Sequence, residues 1–527
     1  MGLRRTLGAL EQLFNIRFEE RTSGDDTGLD ALISSEPNLD SSSIVPTQCP
    51  SYSIVNGDHS MHVEVTNAIE FSRHEALPNV LSGRRIESVE APGLSCLPSR
   101  FKKATVLASK KGAPLWAMVE SQGFQHHFVS SPIPELNEGE PLFLYFYKDR
   151  FFQLLTLIIF LRSITEEEGW APPPLQACFM FDDPNLHWRT YGFIDFHKLA
   201  VHAMEYDYHA CFATIPLDAW FVHKPTALLF QRYRNQISLL IHGNDHTAQE
   251  LGPNHANGNQ KENLRQALLR IEDFERRSGV EVARIMAPPH GACGRSTLGE
   301  MADLGFEAAA ISRGSMRHYN GEGEWLRLIG MRPADIIAGL PVFPRFPISA
   351  SCHNSILIAA LLDQPIIAMG HHADVSGGLK ILADLSEFVR SIGSVGWTDM
   401  KRISSSRYAW KLDGDIMRIK MYTRRIEVPI PDGVKWIEAE CRLLAEAQGY
   451  FLAWKYISQE APWKMHNQAE AIKVNPGNTV EIVAGYPKWP LGPSKSTRRI
   501  KLWPVLRRQI TEARDRTAPL ASRYLNR

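Results

Sequence analysis

Across residues 175–400 short apolar runs alternate with stretches of helical periodicity. Ala177–Phe181, Ala210–Ile215, Ile237–Ile241, Ala283–Ala287, Ala308–Ile311 and Ile366–Met369 read as strands. Between them Glu262–Arg277 repeats Leu264, Leu268, Ile271 and Phe274 at helical spacing. This alternation predicts a parallel α/β sheet or barrel, a fold in which chemistry collects at the carboxyl ends of the strands. Upstream, Ala104–Ala108 and Pro114–Val119 read as strands and Phe151 onward as a helix, before the proline-rich connection Trp170-Ala-Pro-Pro-Pro. Residues 21–60 are rich in Ser, Asp, Asn, Gly and Pro and read as loop. After about 405 the rhythm changes to period two, at Trp410–Tyr422, Arg425–Gly433 and Thr479–Gly485. That change predicts a β-sandwich-like appendage ending in a helix after Pro504. The expected division is a loop-rich segment over 1–60, an N-terminal α/β domain over 61–170, the strand–helix unit over 175–400 and the β-rich domain over 405–527.

Composition narrows the possibilities. Hydrophobic residues make up 44% and charged residues 22%, an ordinary globular mixture that excludes wholesale disorder. The 58 basic and 58 acidic side chains balance, so no electrostatic footprint for nucleic acid exists. The seven cysteines are scattered, with no Cys-x-x-Cys pair, which argues against a disulfide framework or a cysteine-rich zinc site. The opening Met-Gly-Leu-Arg-Arg lacks the apolar stretch of a signal peptide. Phe151–Leu161 is the most apolar segment and is far short of the roughly 20 residues a spanning helix needs. A cytoplasmic protein without a transmembrane segment is expected. From Arg498 onward basic residues predominate. They read as a solvated helix face, with peripheral contact to an anionic membrane surface as the alternative.

Three apolar runs end in metal-binding residue types. The first ends in Asp182 and Asp183, just before Pro184; the second in His242 and His246; the third in His371, His372 and Asp374. One carboxylate and two imidazoles suffice to hold a zinc-like ion with an open position for water. Neighbouring side chains on a regular strand point to opposite faces, but a turn at the strand end can bring both aspartates to one mouth. One carboxylate would then bind the metal and the other take a proton. Asp245 is placed to orient an imidazole. His290, at the tip of the loop Ala287-Pro-Pro-His-Gly, and His187, close after the aspartates, are candidates for lining a substrate pocket. One of His371 and His372 is expected to face the site, in a catalytic-acid or substrate-facing role, and the other to pack or face solvent.

Phe-Asp-Asp at 181–183, His-Gly-x-x-His at 242–246, Pro-Pro-x-Gly at 288–291 and the strand-borne histidines at 371–372 resemble, in type and order, the polysaccharide deacetylases of the NodB-homology type, in a divergent branch. The resemblance spans about residues 175–400. It implies a distorted (β/α) barrel that removes an acetyl group from an N-acetylated sugar or surface-polysaccharide precursor. The implied cofactor is a divalent metal, zinc first, with cobalt, nickel or manganese as alternatives. Carried across, it implies Asp182 as base, Asp183, His242 and His246 as metal ligands, and His371 or His372 as the acid. The family carries an arginine before the two prolines to orient the base, whereas this chain has Ala287 there. Arg284, three residues away on a strand, points to the opposite face and is a poor substitute. Either Asp182 is oriented in another way, for instance through His290, or the activity is altered. The competing reading is a degenerate barrel that binds glycan or scaffolds polysaccharide assembly without catalysis.

Overall fold

A computed structural model describes residues 1–21, 28–35, 48–57, 66–146, 150–165, 169–247, 249–253, 260–321, 323–441, 451–458, 462–467, 470–484 and 502–525. The start of the basic stretch, 498–501, and much of the 21–60 segment lie outside them. The chain forms two compact units, Met1–Glu168 with Glu322–Met331, and Gly169–Gly321 with Arg332–Arg527.

The first unit is a seven-stranded sheet with two helices, α1 (Gly2–Phe14) and α2 (Phe152–Thr165). Its strands are β1 (Leu32–Ser35), β2 (Ser51–Ile54), β3 (Ala68–Phe71), β4 (Arg85–Glu87), β5 (Thr105–Lys110), β6 (Ala113–Ser121) and β7 (Phe124–Val129), in the order β1-β2-β7-β6-β5-β3-β4. β1 and β2 fall where composition suggested loop. α2 is apolar around most of its circumference, with Phe152 and residues 154–161 buried, as expected of a core helix rather than an amphipathic one.

The second unit is built on a curled ten-stranded sheet. β8 (Gln176–Asp182) lies in it between β11 (Ala210–Thr214) and β18 (Ile366–Gly370). After the small hairpin β9 (Thr190–Tyr191) and β10 (Ile194–Asp195) and helix α3 (Phe196–Glu205) comes β11 (Ala210–Thr214), parallel to β8. Then follow α4 (Lys224–Arg232), β12 (Ile237–Ile241), α5 (Gln260–Ser278), β13 (Val282–Met286), α6 (Arg295–Leu304) and β14 (Ala308–Ile311), each strand parallel to the one before. Beyond α7 (Arg313–Asn320) come β15 (Asp335–Ile337), β16 (Leu340–Pro344) and β17 (Phe346–Pro347). α8 (His353–Leu361), β18 (Ile366–Gly370), α9 (Lys380–Arg390), β19 (Gly396–Trp397) and α10 (Met400–Ser405) complete the layer. The strand order is β15-β16-β14-β13-β12-β11-β8-β18-β17, with β19 on β8.

The curl is severe. β16 pairs with β14 toward one edge and β17 with β18 at the other, yet a single residue, Arg345, separates β16 from β17 in the chain. Alternate residues fill the inside: Cys178 and Met180 of β8, Cys211 and Ala213 of β11, Ile285 of β13, Ala308 and Ala310 of β14 and Phe343 of β16. Alanines at so many inward positions let the sheet bend tightly without overpacking. Prolines 341 and 344 in β16 conceal it from pattern reading, since proline ordinarily argues against a strand.

After α10 the second unit continues as a sandwich. β20 (Tyr408–Asp413), β21 (Ile416–Met421), β23 (Trp436–Glu440) and β26 (Ile472–Lys473) form one sheet; β22 (Arg425–Pro429), β24 (Phe451–Tyr456), β25 (Lys464–Asn467) and β27 (Thr479–Ala484) form the other. Met417, Ile419 and Ile437 meet Ile426, Val428, Leu452 and Ile482 between them, the inward half of a period-two pattern.

The terminal helix α11 (Leu502–Leu525) departs from the expected solvated basic face. Arg508, Glu512 and Asp515 are buried, while Trp503 at 68%, Leu506 at 55% and Ile510 at 62% are exposed. Its charged side turns inward, onto the carboxyl ends of the central strands.

Candidate metal centre

Asp182 is the last residue of β8, and Asp183 follows with φ of 85°. That left-handed backbone, uncommon for a residue with a side chain, breaks the strand alternation and brings Asp183 toward the histidines. β12 ends at Ile241 and delivers His242, buried beside it. Gly243 then turns at φ of 64°, and a Cβ there would collide with the Glu250 carboxylate and Pro289. Glu250 is buried and accepts backbone N–H bonds from Asn244 at 2.7 Å, Asp245 at 3.1 Å and His246 at 3.1 Å. This carboxylate nest winds the loop so that His246 returns toward His242, with ring centroids 5.0 Å apart.

The result is a cluster in which one atom each of Asp183, His242 and His246 lies within 4.8 Å of the others. Asp183 Oδ1 is 3.5 Å from His242 Nε2 and 3.1 Å from His246 Nε2. It is nevertheless a buried acceptor with no aligned hydrogen-bond donor. Three ligand atoms that face a common point without satisfying one another fit a divalent ion, and the mixed imidazole–carboxylate set suits zinc or a neighbouring transition metal. Burial would raise the Asp183 carboxyl, but the two imidazoles hold it well below its usual range. His242 donates Nδ1–H to the Ala287 carbonyl at 2.7 Å, which leaves its Nε2 facing Asp183, the arrangement metal-ligating histidines adopt.

Asp182 is buried, and Arg345 donates to its Oδ1 at 2.8 Å. Burial alone would raise this carboxyl; the Arg345 guanidinium, His242 and His371 keep it below the usual range. Arg345 reaches Asp182 from between β16 and β17 rather than from the loop at 287–291. Arg284 is turned away and held by Glu275 at 2.6 Å. Asp245 is held by Arg270 of α5 at 2.6 Å, and no imidazole among the described residues donates to it.

The remaining candidates are distributed unevenly. His290 sits beside His246, with centroids 5.4 Å apart, and burial together with the two neighbouring histidines lowers its pKa. His371 is exposed at the end of β18, with its backbone N–H on Asp374 at 2.7 Å. His372 packs instead, stacked on Phe193 and edge-on to Tyr191, against Gly192, where no side chain would fit. His187 is not brought to the cluster. It is buried, its Nδ1 on Glu512 at 3.0 Å and its Nε2 on the Asp218 carbonyl at 2.8 Å. Cys293 is buried, and burial pushes its thiol up, away from nucleophilic use.

Sequence reasoning passed over α11. Arg508 donates to Asp218 at 2.7 Å, the Asp183 carbonyl at 2.9 Å and the Tyr191 hydroxyl at 3.1 Å. Asp515 accepts from Tyr191 at 2.9 Å, and Arg507 donates to His246 Nδ1 at 3.0 Å and to its carbonyl. A helix remote in sequence from every motif left no local signal of these contacts.

Solved structures similar to this chain include proteins described as polysaccharide deacetylases and as carbohydrate esterases. One, from Mycobacterium smegmatis and assigned as a polysaccharide deacetylase, is 16% identical, with a TM-score of 0.32, covering 45% of this chain and 91% of that one. A CE4 esterase of Streptococcus mutans is 14% identical, with a TM-score of 0.27 over 43% of this chain and 86% of that one. A family 4 carbohydrate esterase of Streptomyces lividans, solved in complex with acetate, is 11% identical, with a TM-score of 0.27 over 45% of this chain and 97% of that one. No family model and no curated protein matches the sequence. No helix among the described residues is long and apolar enough to cross a membrane.

Proposed function

We propose that this chain is a metal-dependent hydrolase of the deacetylase type, acting on an N-acetylated sugar or surface-polysaccharide precursor from a distorted (β/α) barrel. The observation that carries the reading is the meeting of Asp183, His242 and His246 beside a second, arginine-paired carboxylate, Asp182. When bound, a divalent ion supplies Lewis acidity toward an acetyl carbonyl and acidifies water. Asp183 and the two Nε2 atoms would hold it. Asp182, kept ionised by Arg345 at a depth where a lone carboxyl would protonate, takes the proton as general base. His371, exposed at the neighbouring strand end, is better placed than His372 to return a proton to the departing amine, because the His372 ring packs on Tyr191, Gly192 and Phe193. His290 stands on the open side of the cluster, where a sugar hydroxyl can reach it. A cytoplasmic location goes with this reading.

The test is metal content of the purified protein, wild type against His242→Ala/His246→Ala, followed by acetate release from N-acetyl sugars. About one zinc, cobalt, nickel or manganese per wild-type chain, absent from the double variant, supports the centre. No metal in either protein after supplementation leaves the glycan-binding, non-catalytic barrel as the better account.

A further inference from the structure

His242 and His246 face the same carboxylate but are held from behind by partners of opposite kind. Behind His242 is a carbonyl, which can only accept, so Nδ1 carries the proton and Nε2 is open. Behind His246 is the Arg507 guanidinium, which can only donate. His246 Nδ1 must therefore be the acceptor, and the ring proton lies on Nε2, which is 3.1 Å from Asp183 Oδ1 but not aligned on it. An ion needs the lone pair of that same Nε2. Supplying it moves the proton to Nδ1 and sets N–H against N–H at the Arg507 contact. The contact and the bound ion exclude each other through one imidazole.

We infer that Arg507 of α11 competes with a metal ion for His246, so that seating of the start of α11 and loading of the centre oppose one another. This rests on the metal-centre reading above. Displacement can be local, since Arg508, Glu512 and Asp515 anchor the following turns independently through Asp218, His187 and Tyr191. By linkage the opposition works both ways: the ion loosens the first turns of α11 as much as those turns weaken the ion.

The experiment is a cobalt(II) titration of the full chain, read by visible absorption, for wild type, Arg507→Ala and Arg507→Glu. Hydrogen exchange of the 503–510 amides is followed with and without cobalt. Arg507→Ala is expected to bind cobalt about tenfold tighter or more, the scale on which partners behind a ligand act. Arg507→Glu should bind tighter still, because its carboxylate accepts the Nδ1–H that a ligating His246 presents. Cobalt should speed exchange at 503–510 in the wild type alone. Equal or weaker binding by both variants, with exchange indifferent to cobalt, overturns the competition. If cobalt still binds in that case and is lost in His242→Ala, the centre survives and only the coupling falls. If no variant binds cobalt, both readings fall together.

Discussion

A carboxylate taken as deep as Asp182 loses its hydration and, with nothing beside it, would hold its proton at neutral pH. Arg345 reverses that outcome, and its removal defines what the pair contributes. In Arg345→Met the Asp182 carboxyl should rise, moving the acid limb of a kcat/KM–pH profile to higher pH. Breaking one side of a buried pair should also cost roughly 3–5 kcal/mol, visible as a lowered denaturation midpoint. Asp182→Asn should keep its metal and lose about 10²–10⁴ in kcat, the usual scale for a general base; retention of full activity would remove Asp182 from the mechanism. Glu250→Gln tests the loop instead. It leaves a neutral acceptor in a nest built for a charge, and it should weaken metal affinity by misplacing His246 while sparing His242.

At the scale of elements, α11 is fastened to the rest of its unit by a pair that titrates. The Glu512 carboxyl would be raised by burial, but His187 and Arg516 hold it at about 2 against an ordinary 4.5. His187 would be lowered by burial, but Glu512 and the Asp218 carbonyl raise it above 6.5. The Glu512 contribution is in full force above about pH 4.5 and fades as pH falls toward 2. That of His187 is in full force below 6.5 and fades as pH rises through its raised value. Protection of the α11 amides, corrected for intrinsic exchange, should therefore peak between about pH 4.5 and 6.5 and lose its alkaline decline in His187→Phe. The helix also shows where pattern reading stops. Its basic residues were visible, but periodicity states only that a helix has two faces, and α11 buries the charged one. The apolar runs that became β12 and β14 were legible to the residue, as was the fact that Asp183 and His242 each follow a strand. Whether Asp183 would turn toward His242 was not, because that depends on a left-handed backbone at 183. Arg345 was hidden by the prolines of β16 and by a sheet seam that no local spacing encodes.

For the whole molecule, the chain visits its first unit twice. Glu322–Met331 belongs with Met1–Glu168, and in it Leu326, Ile329 and Met331 are buried, with the Arg327 carbonyl accepting from Leu142 N–H at 2.9 Å. A truncation beginning at Gly169 would strip those side chains of the core they complete. It should aggregate on size-exclusion chromatography, whereas the same truncation with 322–331 replaced by a short polar linker should elute as a discrete species. The sandwich core sets a reference for such measurements: Ile437→Ala, at a fully buried position, should cost about 2–5 kcal/mol in denaturant unfolding. A different consequence follows from where α11 lies along the chain. Every residue of the candidate centre, from Asp182 to His372, precedes it. At ~5–20 residues per second the ribosome needs on the order of ten seconds to travel from His372 to Leu502. If Arg507 competes with an ion as inferred, a nascent chain can offer His246 to that ion before Arg507 has been made, and the history of synthesis, as well as equilibrium affinity, would set how much of the protein is born loaded.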